Sequence, residues 1–252
     1  VALLLNGSPN ALIFPTNAFE LTHAASDAYM KPAFANMART LRLIAIFFSV
    51  LLPGLYLALT LFHQEMIPTY LMYSISASRE NVPFPSVVEL ILMDMSFEMI
   101  REAGLRMPSP LGSTLGIVGG LILGQAAVSA KIVSPIMIIV IAITGIGSFA
   151  TANYSLGWSY RLLRLLFVVL GSSLGLYGIG IGIFAYSAYI GTLGNFGIKF
   201  LSPMPGNVMN KIKKSVFVEP IWKNEKRPEY LETKNIVKEA KLSRGWIYKR
   251  RK

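Results

Sequence analysis

The sequence predicts an all-α membrane protein with about four transmembrane helices, one amphipathic interfacial or re-entrant helix, and a basic C-terminal tail. Three observations predict it. Of 252 residues, 53% are hydrophobic and only 15% charged, with a mean hydropathy of +0.52. Soluble domains carry about a quarter charged residues. The apolar residues are bunched into runs of about 20, enough at 1.5 Å per residue to cross a hydrocarbon core of about 30 Å. The net charge of +11 is also segregated. Residues 199–252 hold 15 Lys and Arg against 5 acids, a net +10, which leaves +1 for the rest of the chain.

Taken in order, Val1–Leu5 is a short apolar run closed by Asn6-Gly7-Ser8-Pro9, a strong turn signal. Ala11–Phe14 resumes the pattern before Pro15, which reads as a hairpin or strand end. Residues 1–42 are expected to be the end of an N-terminal soluble domain, missing from this chain, together with a juxtamembrane linker. Pro32 suits the first turn of a helix, and Arg39 and Arg42 flank the first apolar run. That run, Leu43–Phe62, has no charge, and Pro53-Gly54 near its centre predicts a kink. Residues 43–200 form the expected transmembrane domain. His63–Pro83 reads as a polar connection.

Phe84–Gly104 is a different kind of helix. Ser86 or Pro85 can start it and Gly104 can end it. At 100° per residue Asp94, Glu98, Arg101 and Glu102 share one arc of about 100°, and Glu98 and Arg101 stand at i,i+3. These residues, with Glu89, cannot face lipid, so the helix is expected at the interface, its acidic face solvated, lining an aqueous vestibule or meeting a partner.

Leu105–Pro110 is a turn leading to Leu111–Ala130, an uncharged stretch with glycines at Gly112, Gly116, Gly120 and Gly124. This i+4 row makes one smooth helix face where another backbone can approach. Ser113, Thr114, Gln125 and Ser129 add polar groups, so the stretch is the candidate pore or packing helix. Ile132–Asn153 is the next span, with Ser134-Pro135 in its first turn. Leu165–Ile190 is the last; it is glycine-dense, and its Gly171–Gly175 spacing is small-xxx-small. Spans at 43–62, 111–130, 132–153 and 165–190 put both ends on one side, and the basic tail, 201–252, makes that side cytoplasmic. The tail reads as a positive-inside segment near anionic lipid, with no nucleic acid implied.

Several chemistries find no residues here. There is no cysteine, and two isolated histidines, His23 and His63, offer no metal centre. No P-loop, dinucleotide fingerprint, His-Glu-x-x-His or Ser/His/Asp set is present, so neither an enzyme nor a cofactor is expected.

The run PFPSVVELILMDMSFEMIREAGLRMPSPLGSTLGIVGGLILGQAAVSAKIVSPIMIIVIAITGIGSF, from Pro83, resembles the GerA family of spore germination proteins. Glu89, Glu98, Arg101, Glu102, Gly104, Pro108, Gly112, Gly116, Gly120, Gly124, Gln125, Ser134 and Pro135 stand where that family's pattern has them. FHQEMIP (62–68) and NFGIKFLSPMP (195–205) are similar to later landmarks. Departures include Asp94 for a usual Glu, Ser113 for Gln, Lys131 for Gly and Lys199 for Pro. The resemblance implies an A subunit of a nutrient germinant receptor, or a paralogue of the SpoVA-operon type, in the inner membrane of the spore. It implies a transporter-like B subunit and a lipoprotein C subunit as partners, and homo-oligomers forming an ion channel. The alternatives are a transporter subunit moving a small solute such as dipicolinate, and a non-conducting scaffold.

Overall fold

Long apolar runs broken by short Pro, Gly and Ser clusters fold into seven α-helices and two short hairpins among the described residues. The computed structural model describes residues 2–4, 6–7, 11–106, 111–201 and 217–218. The expected turn around Pro108 and almost all of the basic tail lie outside the described residues. The chain divides into two units, one of residues 1–43 with 185–252, the other of residues 44–184.

In the first unit, β1 (Ala2–Leu4) pairs antiparallel with β2 (Ala11–Ile13), so the N-terminal hairpin is present. Gly7 in its turn has φ 86°, a value glycine adopts without strain. Helix α1 (Ala18–Thr22) starts where the Asn17 side chain accepts the Glu20 N–H at 2.7 Å. A 3-10 turn, Ala25–Ala28, then sets Asp27 in a buried position. Asp27 accepts from Arg39 Nε at 3.2 Å and from Arg42 Nη1 at 3.0 Å. Burial alone would raise its carboxyl, but hydrogen bonds from Arg42 and the Ala24 N–H, with the Arg42 charge and the Arg39 bond, hold its pKa below the usual value. A second hairpin, β3 (Gly194–Asn195) with β4 (Ile198–Lys199), turns through Phe196 and Gly197. Its neighbour Phe200 accepts the Ala18 N–H at 2.9 Å, and the Phe14 and Phe196 rings lie 5.4 Å apart. Asn36 holds Val218 at both backbone groups.

The second unit is helical. It takes in most of α2 (Pro32–Leu61) and α7 (Tyr154–Thr192), and all of α3 (Thr69–Arg79), α4 (Ser86–Arg106), α5 (Leu111–Ser129) and α6 (Pro135–Phe149). Two helices, Pro32–Leu61 and Leu156–Thr192, are long and apolar enough to cross a membrane; the apolar part of α5 at 118–129 and α6 are shorter. Both long helices outrun the apolar spans read from sequence. Pro32 does open α2, and Arg39 and Arg42, which flank the first apolar run, lie inside it paired with Asp27, while Arg161 and Arg164, ahead of the last run, lie inside α7 paired with residues of α4. The segment read as a polar connection, 63–83, contains α3. Helix α2 runs on through Pro53, which is fully buried. Helix α6 begins as expected, Ser134 Oγ accepting the Met137 N–H ahead of Pro135.

One buried cluster joins Leu57 of α2, Leu90 and Met93 of α4, Met137 and Ile141 of α6 and Val168 of α7. A second joins Val50, Leu51 and Ala58 to Phe167 and Ile179 across α2 and α7. Helices α2 and α7 cross at backbone contact. A Cβ on Gly171 would run into the Gly54 carbonyl, and a Cβ on Gly54 would sit 2.5 Å from the Phe167 carbonyl oxygen. Farther along, α7 is interrupted at Gly175 (φ 63°, ψ −142°), which abuts His63.

Candidate functional site

Helices α4, α5 and α6 enclose a groove of about 1210 Å³. The period of the α5 sequence builds its floor. Gly116, Gly120 and Gly124 recur every fourth residue and so share one face. A Cβ on Gly120 would stand 3.1 Å from the Phe97 ring and one on Gly124 3.4 Å from Ile138, whereas one on Gly116 would meet nothing within 4 Å among the described residues. Gln125 and Ser129 add polar atoms, and Ile138, Ala142 and Phe149 of α6 form much of the opposite wall. Gly112, Ser113 and Thr114 occupy the first turn of α5.

Arg101 lines one wall of this groove, and there the two sets of candidate residues meet. Its Nη1 bonds Glu98 Oε1 at 3.1 Å, its Nη2 reaches the Gly145 carbonyl at 3.2 Å and Ser148 Oγ, and its guanidinium lies 4.5 Å from the Phe149 ring centroid. Behind it, Arg164 of α7 bonds Asp94 Oδ1 at 3.0 Å and Glu98 Oε1 at 2.8 Å. Arg161 reaches Glu98 Oε2 at 3.3 Å and stacks on Trp158. Asp94 and Arg164 are buried and Glu98 is 23% exposed on its side chain, so the acids of α4 turn toward arginines inside the bundle. Glu102 follows on the same helix, half-buried. Three guanidinium charges offset the carboxylates here, which is how low-polarity surroundings tolerate ionised groups.

Glu89, the fourth candidate acid, is fully buried away from this cluster. Its Oε2 accepts the Ser134 N–H at 3.0 Å and its Oε1 pairs with Arg79 at 3.3 Å. It thereby fixes the start of α6 and the end of α3. Among the described residues no three acids and histidines converge on a position for a metal ion.

Arg79, Arg161 and Arg164 are the participants that sequence reasoning missed. A signal for two of them exists: Arg161 and Arg164 stand at i,i+3 ahead of an apolar run, the complement of Asp94 and Glu98 at i,i+4.

The family described as Bacillus/Clostridium GerA spore germination protein matches residues 1–230. Spore germination protein KA of Bacillus subtilis (strain 168) is 41% identical over 98% of this chain and 47% of its own length. Spore germination protein GerLA of Bacillus cereus is 40% identical over 93% of this chain and 48% of its own length. YfkQ of Bacillus subtilis (strain 168), named as an uncharacterized membrane protein, is 36% identical over 95% of this chain and 47% of its own length. The chain thus spans about half the length of these curated relatives. No solved structure matches it. With the α4–α5 pattern, its glycine floor and its paired acids all inside the matched range, the chain belongs to the GerA family of spore germination proteins.

Proposed function

We propose that this chain is the membrane part of a germinant-receptor A-type subunit, and that copies of it assemble into an ion-conducting channel of the spore inner membrane. The observation that carries the reading is the groove between α4, α5 and α6. It is walled mostly by apolar side chains and floored by glycine, and Leu121, Ile122, Ile139 and Ile146 beside it are 58–72% exposed. Lipid can cover the apolar side chains, but the glycine floor is where a neighbouring helix can bring its backbone close and gain packing that lipid does not give. In this reading α2, α5, α6 and α7 cross the bilayer, the tail is cytoplasmic, and Ser113, Thr114, Gln125 and Ser129 supply the polar side of a conduit. Arg101 faces the groove, and behind it the charges of Glu98 and buried Asp94 are offset by Arg101, Arg161 and Arg164, with Glu102 on the same helix, so these pairs set how much carboxylate an ion meets. A transporter-like B subunit and a lipoprotein C subunit complete the receptor.

The test uses two substitutions in the natural full-length protein. Gly120→Leu presses on Phe97 of the same chain, whereas Gly116→Leu meets none of the described residues within 4 Å of its Cβ and projects into the groove. Both are expected to cause ion leak or loss of assembly. If Gly116→Leu leaves germination, ion release and oligomer size unchanged, the reading fails.

The break at Gly175 favours a second reading, because transporters place interrupted helices at their solute sites. Liposomes separate the two: a channel carries ionic current, a transporter accumulates solute such as dipicolinate without it, and a scaffold does neither.

A further inference from the structure

We propose that α3 lies flat in the membrane–water interface, with its Tyr70 and Tyr73 face in the lipid headgroup and upper acyl region. The helix has 11 residues, about 16 Å at 1.5 Å per residue, roughly half of a 30 Å hydrocarbon core. It cannot cross. It also buries none of its residues: Tyr70 is 86% exposed, Tyr73 67% and Leu71 48%. Its inward seam is Met72, Ile75, Ser78 and Arg79, all half-buried, with Met72, Ile75 and Arg79 at i, i+3 and i+7. The exposed face is Thr69, Tyr70, Leu71, Tyr73, Ser74, Ser76 and Ala77.

Three observations select a lipid surface as the occupant. No Asp, Glu, Lys or Arg occurs from Met66 to Ser78, so the face lacks the charges by which a protein partner is steered and held in register. Tyrosine with hydroxyl side chains is the composition of the interfacial layer, where a ring can be apolar at one end and wet at the other. The helix is also continuous with a membrane-crossing candidate: α2 ends at Leu61, and Thr69 opens α3 after one short turn. Arg79, paired with buried Glu89, then fixes the orientation in which the tyrosines point outward. An interfacial helix buries its apolar side about 5–10 Å into the boundary. The consequence is a lever resting on lipid whose inner end touches the residue that holds the start of α6.

The sequence contains no cysteine, so a single one carries a spin label without background. Tyr73→Cys and Ser74→Cys are each labelled in the full chain and reconstituted in phosphatidylethanolamine–phosphatidylglycerol vesicles. Ser74→Cys is nearly isosteric, so it reports even if the loss of Tyr73 disturbs the helix. At both positions collisions with dissolved oxygen are expected to exceed those with a water-soluble nickel chelate, giving a depth of about 5–10 Å. That pattern should persist when the protein is diluted in lipid. Labels open to the nickel chelate overturn the proposal, because the face is then in water. Labels shielded from both reagents, or shielded only at high protein density, overturn it in favour of a protein partner.

Discussion

At Gly171 of α7 an added Cβ would run into the Gly54 carbonyl of α2; at Gly116 of α5 it would meet none of the described residues within 4 Å. The same residue type, repeated on two apolar helices, serves two arrangements. Along α2 the glycines are already used. Gly54 meets Phe167, Gly171 meets Gly54, and Gly147 of α6 lies 2.6 Å, by its would-be Cβ, from the Ala45 carbonyl. Along α5 they floor a groove that nothing in the chain's described residues fills. The difference teaches that a small-residue row marks where a backbone can come close, and that only the surroundings say whether one already has. It also separates what holds the bundle together from what it offers outward.

The largest expected effect falls on the link between the two regions. Arg164 leaves the α2–α7 side of the bundle to pair with Asp94 and Glu98 of α4. Arg164→Met strands a buried carboxylate, which costs about 3–5 kcal/mol when a buried pair is broken from one side. The melting temperature in detergent should fall sharply, and Asp94→Leu added to it should restore much of the loss, since replacing both partners removes the stranded charge. A fall below about 1 kcal/mol, the level of exposed pairs, would mean that the glycine seam alone places α7.

Next comes the seam itself. Gly171→Ala adds one methyl where a carbonyl already stands, so the helices must separate. Overpacking of this kind costs about 1–3 kcal/mol. Gly54→Ala strikes the same crossing, so the double variant should lose less than the sum of the two, because once the helices part the second methyl has room. Additive losses would show that the two positions do not share one contact.

Much of this was legible in the sequence, and the limits have physical reasons. The N-terminal hairpin follows from Asn6-Gly7, the start of α6 from Ser134-Pro135, and α4 from its start at Pro85-Ser86 and its polar arc; each is set by residues a few positions apart. The Glu98–Arg101 pair is legible for the same reason. Helix limits at Arg39, Arg42, Arg161 and Arg164 were not, because charge looks like a boundary until its partner is known. Asp27, Asp94 and Glu98 become partners only through tertiary contact. Helix α3 escaped because its hydroxyl-rich face reads as polar linker when hydropathy is averaged. The glycine row of α5 and the Gly171–Gly175 spacing of α7 stood out by period, but Gly54 as the partner of Gly171 did not, since the two lie on different helices.

The smallest effect is also the one whose sign decides most. Gly116→Ala puts a methyl where none of the described residues lies within 4 Å and removes a glycine from a helix interior, which should stabilise the monomer by about 0.5–1 kcal/mol. A gain in melting temperature with unchanged assembly would mean that the α5 face is simply spare surface. A gain in the dispersed protein together with weaker self-association would mean that a neighbour's backbone comes as close to Gly116 as Gly54 comes to Gly171. The two glycine rows would then be one device used twice, once within the chain and once between chains. A loss of stability in the dispersed protein would break the comparison from the other side, because the groove would then be filled by residues of the same chain.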